Sequence, residues 1–326
     1  YPESGGQDSD SGVIRGGSAT ADVVDVQRPV PGLIVHTVTI AEGSLAVGDP
    51  VNAEVDSLYR REASRAHSAT HLEHAALHQV LGTDANQAGS YNRPGYMRLD
   101  FSWTSGVSEA ARGEVEEIAN RAIRDDHEVS TRIMKLDEAK ALGAMALFGE
   151  KYGDRVRVVE IGGPFSRELC AGTHVGSSSE VGLLTITSEG SVGSGARRVE
   201  AFVGADAFGN LAAERAIVHE LSQSLKVQPG ELRGRVEKLV ERLSATEKEL
   251  AQFRQKELLG AAAGLADSAV DVAGVSVVAS ELAAAEDADG LRAAVTDVRA
   301  RLGEDRPSVV ALFGVAGGRP VVAVAT

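Results

Sequence analysis

From Leu58 to Leu81 the chain contains neither glycine nor proline, and this run carries four of its eight histidines, at positions 67, 71, 74 and 78. An uninterrupted stretch of that length reads as one long helix ending at Gly82. At about 100° per residue the four imidazoles fall within roughly 60° of one another, as a single stripe. Leu72, Ala76 and Val80 lie to one side of the stripe and Leu77 and Leu81 nearer to it, so the helix is apolar on most sides and is expected to be buried. Residues i and i+4 stand about 6 Å apart along a helix axis, close enough for two imidazoles to share one metal; residues i and i+7, about 10 Å apart, are not. One ion can therefore use His67 with His71, His71 with His74, or His74 with His78.

A second group lies in the stretch ELCAGTHVG, where Cys170 and His174 are four apart beside glycines that let the backbone turn. Cys170 is the only cysteine, which excludes a disulfide framework within the chain and fits a reducing cytoplasm. Two helical histidines with a loop cysteine and histidine make a His3Cys set of the right softness and number for zinc. The plain alternative for either motif alone is packed or surface histidines. The residue after His67 is Ser68, not glutamate, so the general base of an HExxH zinc peptidase is missing and that reaction is excluded.

Around these motifs the pattern is that of an α+β protein. Residues 1–58 alternate in short runs broken by Gly, Pro and GD turns, and read as a small antiparallel β-barrel. Residues 59–205 mix the histidine helix, a GSYNRPGYMRLDFSW hairpin, a helix opening at Ser108 with acids in its first turns, and several strands, for a mostly antiparallel sheet. Residues 206–259 are helical and charged, broken at Pro229-Gly230. Leu232, Val236, Leu239, Leu243, Thr246, Leu250 and Phe253 then form an a/d heptad seam, read as half of an antiparallel hairpin or as a dimer contact. Residues 260–326 read β, α, β, β as a partial C-terminal α/β domain, and the chain ends inside a strand pattern, as a piece cut from a longer protein would.

The net charge is −14, which argues against a nucleic-acid partner. It is unevenly spread. Residues 1–60 hold three basic against nine acidic side chains, whereas 206–258 balance nine against nine. Arg60, Arg61, Arg65, Arg197 and Arg198 remain as local groups able to meet phosphates. No apolar run approaches the length of a membrane span and no leader opens the chain, so a cytoplasmic protein with no membrane partner is expected.

The motifs, taken together, resemble a known family. HSATHLEHAALHQVLG followed by ELCAGTHV resembles the HxxxH and CxxxH pair of the editing domain of alanyl-tRNA synthetase. The opening ESGGQDSDSG resembles that family's ESGGQ segment, QAGSYNRPGYMRLDFSW its QxGS…RxDF hairpin, and GSGARRVEAFVG its RRIEA strand, in the same order. The likeness covers residues 1 to about 205, and the coiled segment and tail continue in register.

The resemblance implies zinc held by His67, His71, Cys170 and His174 in an editing domain over 59–205. It implies Gln7, Cys170 and Ser90 as catalytic-site residues: the Gln7 amide to orient water or substrate, the Ser90 hydroxyl to favour serine, with Glu3, Gly5 and Gly6 shaping the loop. His74 is then read as packed and His78 as a surface residue. The activity implied is hydrolysis of tRNA(Ala) wrongly charged with serine or glycine. The partner is the mischarged acceptor end, with self-association through the coil or tail as a second contact. The ATP-dependent ligase domain of the family lies outside this chain, and making Ala-tRNA is not expected of it. The rival reading is a non-catalytic tRNA-binding or oligomerisation segment whose zinc is structural.

Overall fold

In the computed structural model, residues 1–146, 152–283, 287–303, 305–316 and 318–326 are described. They divide into two compact units, Tyr1–Ile217 and Val218–Thr326.

The first unit opens with strands β1 (Gly12–Gly16), β2 (Ala19–Val30), β3 (Leu33–Glu42) and β4 (Asn52–Val55), paired in the order β3-β2-β1-β4, each pair antiparallel. This sheet is open. The expected barrel is not formed: β3 and β4 are both edges, and four-residue β4 is too short to close a ladder against ten-residue β3. Only the stretch from Ala19 to Val26 buries one face, through Ala19, Ala21, Val23 and Val26, while β3 is exposed along nearly its whole length.

Helix α1 (Ser57–Leu81) follows. The Asp56 carboxylate accepts hydrogen bonds from the amides of Leu58 and Tyr59, each at 3.0 Å, and so caps two of the donors a helix start leaves open. Fourteen residues between Ala63 and Leu77 are buried, many of them Ala, Ser or Thr, so the helix is enclosed on nearly every side as its composition suggests. It packs on α2 (Glu109–Arg124), itself capped by the Ser108 hydroxyl, and on a second antiparallel sheet. That sheet is built from β5 (Gln87–Arg93), β6 (Tyr96–Ser102), β10 (Leu184–Gly193) and β11 (Ala196–Val203), in the order β10-β11-β6-β5. The β5–β6 hairpin turns at Pro94-Gly95, where Gly95 takes a φ of 72° that only glycine adopts without strain. Leu72, Leu77, Met97, Leu99, Phe101, Val115 and Val199 form the core between helices and sheet.

A third sheet, β7-β8-β9, is antiparallel: β7 (Val129–Lys135), β8 (Arg155–Ile161) and β9 (Ser166–Leu169). The short helix α3 (Leu136–Ala141) covers its own small core of Ala139, Val156, Val158 and Leu169. The end of β9 delivers Cys170 against the middle of α1.

Helix α4 (Ala205–Leu225) is followed, past a turn at Pro229–Glu231, by α5 (Leu232–Ala263). The heptad seam of α5 is present as a helical stripe but uncovered. Val236, Leu239, Leu243, Leu250 and Phe253 are all exposed, and only Leu258 and Ala262 are buried. Those two join the core of the second unit with α6 (Ala288–Arg301) and a four-stranded sheet of β12 (Val270–Val272), β13 (Val275–Glu281), β14 (Ser308–Ala316) and β15 (Arg319–Ala325). Here β13 and β14 run parallel, joined through α6, and the other two pairs are antiparallel. No helix among the described residues is long and apolar enough to cross a membrane.

Candidate metal centre and its cavity

The structure brings His67 and His71 of α1 to Cys170 and His174 of the loop after β9. One ligand atom from each lies within 4.8 Å of the other three. Cys170 Sγ is 3.4 Å from Nε2 of both His67 and His174. Bonds of about 2.1 Å to nitrogen and 2.3 Å to sulfur set ligand atoms about 3.5 Å apart in a tetrahedron, so this donor set fits a zinc-sized ion. The His67, His71 and His174 rings lie with centroids 4.6–5.5 Å apart, inclined by 43–84°, as rings converging on one point do.

The remaining ring nitrogens explain why Nε2 faces the centre. Gln7 is fully buried, and its carboxamide oxygen accepts from the Thr173 amide at 2.9 Å and from Nδ1–H of His67 at 2.8 Å. Its Nε2 donates to Thr173 Oγ1, which also meets Ser64 Oγ. An amide oxygen only accepts, so the proton of His67 sits on Nδ1 and the Nε2 lone pair faces the centre. Ser68 Oγ stands 3.0 Å from Nδ1 of His174 and accepts from the Val175 amide. Nδ1 of His71 faces the buried carboxylate of Glu168 at 3.6 Å. His67 and His174 thus each have an oxygen hydrogen-bond partner behind the ring, and His71 faces a carboxylate just beyond hydrogen-bond distance.

Burial keeps these imidazoles neutral and ready to ligate. Burial first and the neighbouring His71 second push His67 down to about 3; burial likewise lowers His71, and holds His174 well below the ordinary range. Burial works to raise Glu168, yet attraction to His74 and the hydrogen bonds from His74 and the Ser166 hydroxyl outweigh it and bring the carboxyl below its ordinary range. His74 shifts up: attraction to Glu168 outweighs its burial.

The loop is held in place by Arg157, whose Nη1 donates to the carbonyls of Cys170 and Gly172, each at 2.9 Å. At Gly172 a Cβ would run into the His67 ring and come 3.0 Å from Gln7 Oε1. Glycine is needed there for close approach, not for a turn.

A cavity of about 280 Å³ opens beside the centre, lined by His67, His71, Cys170, Ser4, Gln87 and Arg155 among others. A second, of about 320 Å³, reaches His174 from the side of Arg60 and Arg61. Ser90 does not line the first cavity; it stands on β5 against the backbone of Gly6, whose Cβ would meet Ser90 O and Oγ. His74 is buried and His78 half-buried, the rings stacked edge to face at 4.4 Å, and His78 reaches the Ala85 carbonyl. Of the five arginines singled out for phosphate contact, Arg60 is ion-paired with Asp10, Arg65 with Glu62, Arg197 with Glu189 and Arg198 with Asp100. Among the described residues Arg61 alone of the five has no ion pair.

Three residues of the centre, Ser68, Glu168 and Thr173, belong to no spacing motif. The signal for Glu168 is local: it stands two residues before Cys170, at the end of β9. Ser68 occupies the place where a peptidase would carry its glutamate.

This centre, built on tRNA-synthetase-like segments, defines the class. Residues 156–200, which include Cys170 and His174, match the threonyl and alanyl tRNA synthetase second additional domain, and residues 1–59 match the class II (A) tRNA synthetases. The whole chain is 53% identical to the alanine–tRNA ligases of Clavibacter sepedonicus and Paenarthrobacter aurescens (strain TC1), covering all of this chain and 37% and 36% of theirs. The alanine–tRNA ligase of Kocuria rhizophila is 53% identical with 36% of its length covered. The chain belongs to the alanine–tRNA ligase family and spans about 37% of the length of the first of these relatives.

Proposed function

We propose that this chain binds zinc at His67, His71, Cys170 and His174 and hydrolyses the ester of tRNA(Ala) mischarged with serine or glycine. The observation that carries the reading is the convergence of four zinc-type donors beside a cavity of small-ligand size, two of the donors, Cys170 and His174, lying in the segment that matches a synthetase additional domain. The relatives are alanine ligases, and a pocket shaped for alanine neither excludes glycine nor strongly rejects one added hydroxyl, so a second site that destroys errors has a physical reason to exist.

The residues divide the work by position. The cavity between Ser4, Gln87 and Arg155 receives the aminoacyl end of the acceptor strand. Gln7 holds His67 and the Thr173 backbone together, so it acts on the centre from behind. Ser90 acts through Gly6, fixing the 4–7 segment that forms one wall of the cavity. A bound zinc ion supplies Lewis acidity toward the ester or water, or anchors the substrate end. The full coordination by four protein ligands favours one competing reading, structural zinc in a tRNA-binding segment. The exposed seam of α5 is the surface through which two copies would associate.

Deacylation of Ser-tRNA(Ala) and Gly-tRNA(Ala) by this chain, with and without chelator, separates these readings. Hydrolysis abolished by chelator and by Cys170→Ala, and slowed about 10- to 100-fold by Gln7→Ala, is expected. A zinc-loaded chain that leaves both substrates intact would establish the structural reading instead. Wild-type rates from the Cys170→Ala, Gln7→Ala double variant would show the site to lie elsewhere.

A further inference from the structure

We propose that Glu168 is a positioning residue for the metal centre, holding His71 through its Nδ1–H, and that His74 and Ser166 exist to hold Glu168. The inference rests on the metal reading above.

Among the described residues, Nδ1 of His71 has no hydrogen-bond partner, and the nearest acceptor is Glu168 Oε1 at 3.6 Å. His67 and His174 face neutral oxygens, from Gln7 and Ser68; His71 alone faces an anion. A carboxylate behind a ligating imidazole fixes its tautomer and makes it a stronger donor, and such partners typically affect metal affinity 10- to 100-fold. Glu168 is itself 4% exposed. A carboxylate that deep needs compensation, and the same Oε1 receives it from His74 Nδ1 at 3.2 Å and Ser166 Oγ at 3.1 Å. Beyond His74 the edge-to-face contact with His78, and His78's bond to the Ala85 carbonyl, fix the ring from the far side. The carboxylate is therefore held by two donors, with the same oxygen turned to His71. The four-histidine stripe divides accordingly: two rings ligate, and two support the anion that orients one of them.

The test is Zn2+ affinity of the full chain, measured by competition with a chromophoric chelator, alongside Co2+ absorption bands that report ligand geometry. Glu168→Gln keeps shape and loses charge. It should raise the dissociation constant about 10- to 100-fold and change the Co2+ bands, by more than the lost stability of the metal-free chain accounts for. His74→Gln should raise it less, in the same direction. Glu189→Gln, on β10 and paired with Arg197, should bind like the parent. Should Glu168→Gln fail to fold, Glu168→Asp draws the oxygens back by one methylene and should also weaken binding. A Glu168 variant that binds within twofold of the parent overturns the proposal, as does weakening that only tracks lost stability of the metal-free chain. A parent chain that takes up no Zn2+ overturns the metal reading and this inference together.

Discussion

A methyl group on residue 172 has no room, because the space a Cβ would take belongs to the His67 imidazole and the edge of the Gln7 amide. Arg157 pins the backbone on both sides, at the carbonyls of Cys170 and Gly172, so the loop cannot retreat. Gly172→Ala should therefore cost about 1–3 kcal/mol of stability, the usual price of overpacking. It should also weaken Zn2+ binding at least about tenfold as His67 swings aside. Urea unfolding and chelator competition measure the two effects, and a variant equal to the parent in both would show the loop to be more compliant than its hydrogen bonds imply. The ligand spacings themselves were legible, since an i, i+4 pair on a helix and a CxxxH loop are local patterns. The partners behind the ligands were not. Gln7 lies 166 residues from Thr173, and nothing in ESGGQ says that its amide is consumed by a loop that far away. Glu73 is a sharper case. An acid in the middle of α1, it is fully buried with no protein partner among the described residues for either oxygen, and burial with Glu116 nearby pushes it up to about 8.

At the level of elements, the β7-β8-β9 sheet carries a charge triad that holds the strand delivering Cys170. Glu160 on β8 stands directly opposite Arg167 on β9 and also pairs with Arg132 on β7, at 2.6 Å for the latter. Burial works to raise the Glu160 carboxyl, but the hydrogen bonds from Arg167 and Arg132 outweigh it, and it titrates below the usual carboxylate range. A carboxyl lowered in the folded state contributes stability above its unfolded value, which is lost as pH falls through the folded value. Glu160→Gln should accordingly be less stable than the parent at pH 7. The gap should close as pH drops below about 4 and the parent's own carboxyl protonates. Paired urea titrations stepped from pH 7 down to pH 2 check this, and a gap that does not narrow at all over that range would assign the loss to packing instead. Elements with a strong local period, such as α1, α2 and the β5–β6 hairpin, could be read from the chain. The closure of the N-terminal sheet could not, because whether β4 meets β3 depends on strand length and twist, not on alternation. The α5 seam has the period of a coiled-coil face, but period alone does not name the surface that covers it.

At the level of the whole molecule, every proposed ligand and every residue oriented behind it lies in Tyr1–Ile217. The second unit has a separate core of Leu258, Val278, Leu291, Val295, Val310 and Leu312. A ligand that binds only the folded form adds stability by mass action, about 2.7 kcal/mol at a free concentration one hundred times its dissociation constant. For a unit of this size that corresponds to a rise of roughly 5–10 °C in melting temperature. Calorimetry with excess Zn2+ against chelator should therefore move one transition by that amount and leave the other in place. With Cys170→Ala the moving transition should lose most of its shift, since a tetrahedral site reduced to three ligands binds more weakly. If both transitions moved together, the stabilisation would come from ions bound outside this centre or from melting of the two units as one body. The same scan reads the metal without any RNA present, so it tests whether the four donors act as a site independently of what the cavity beside them does.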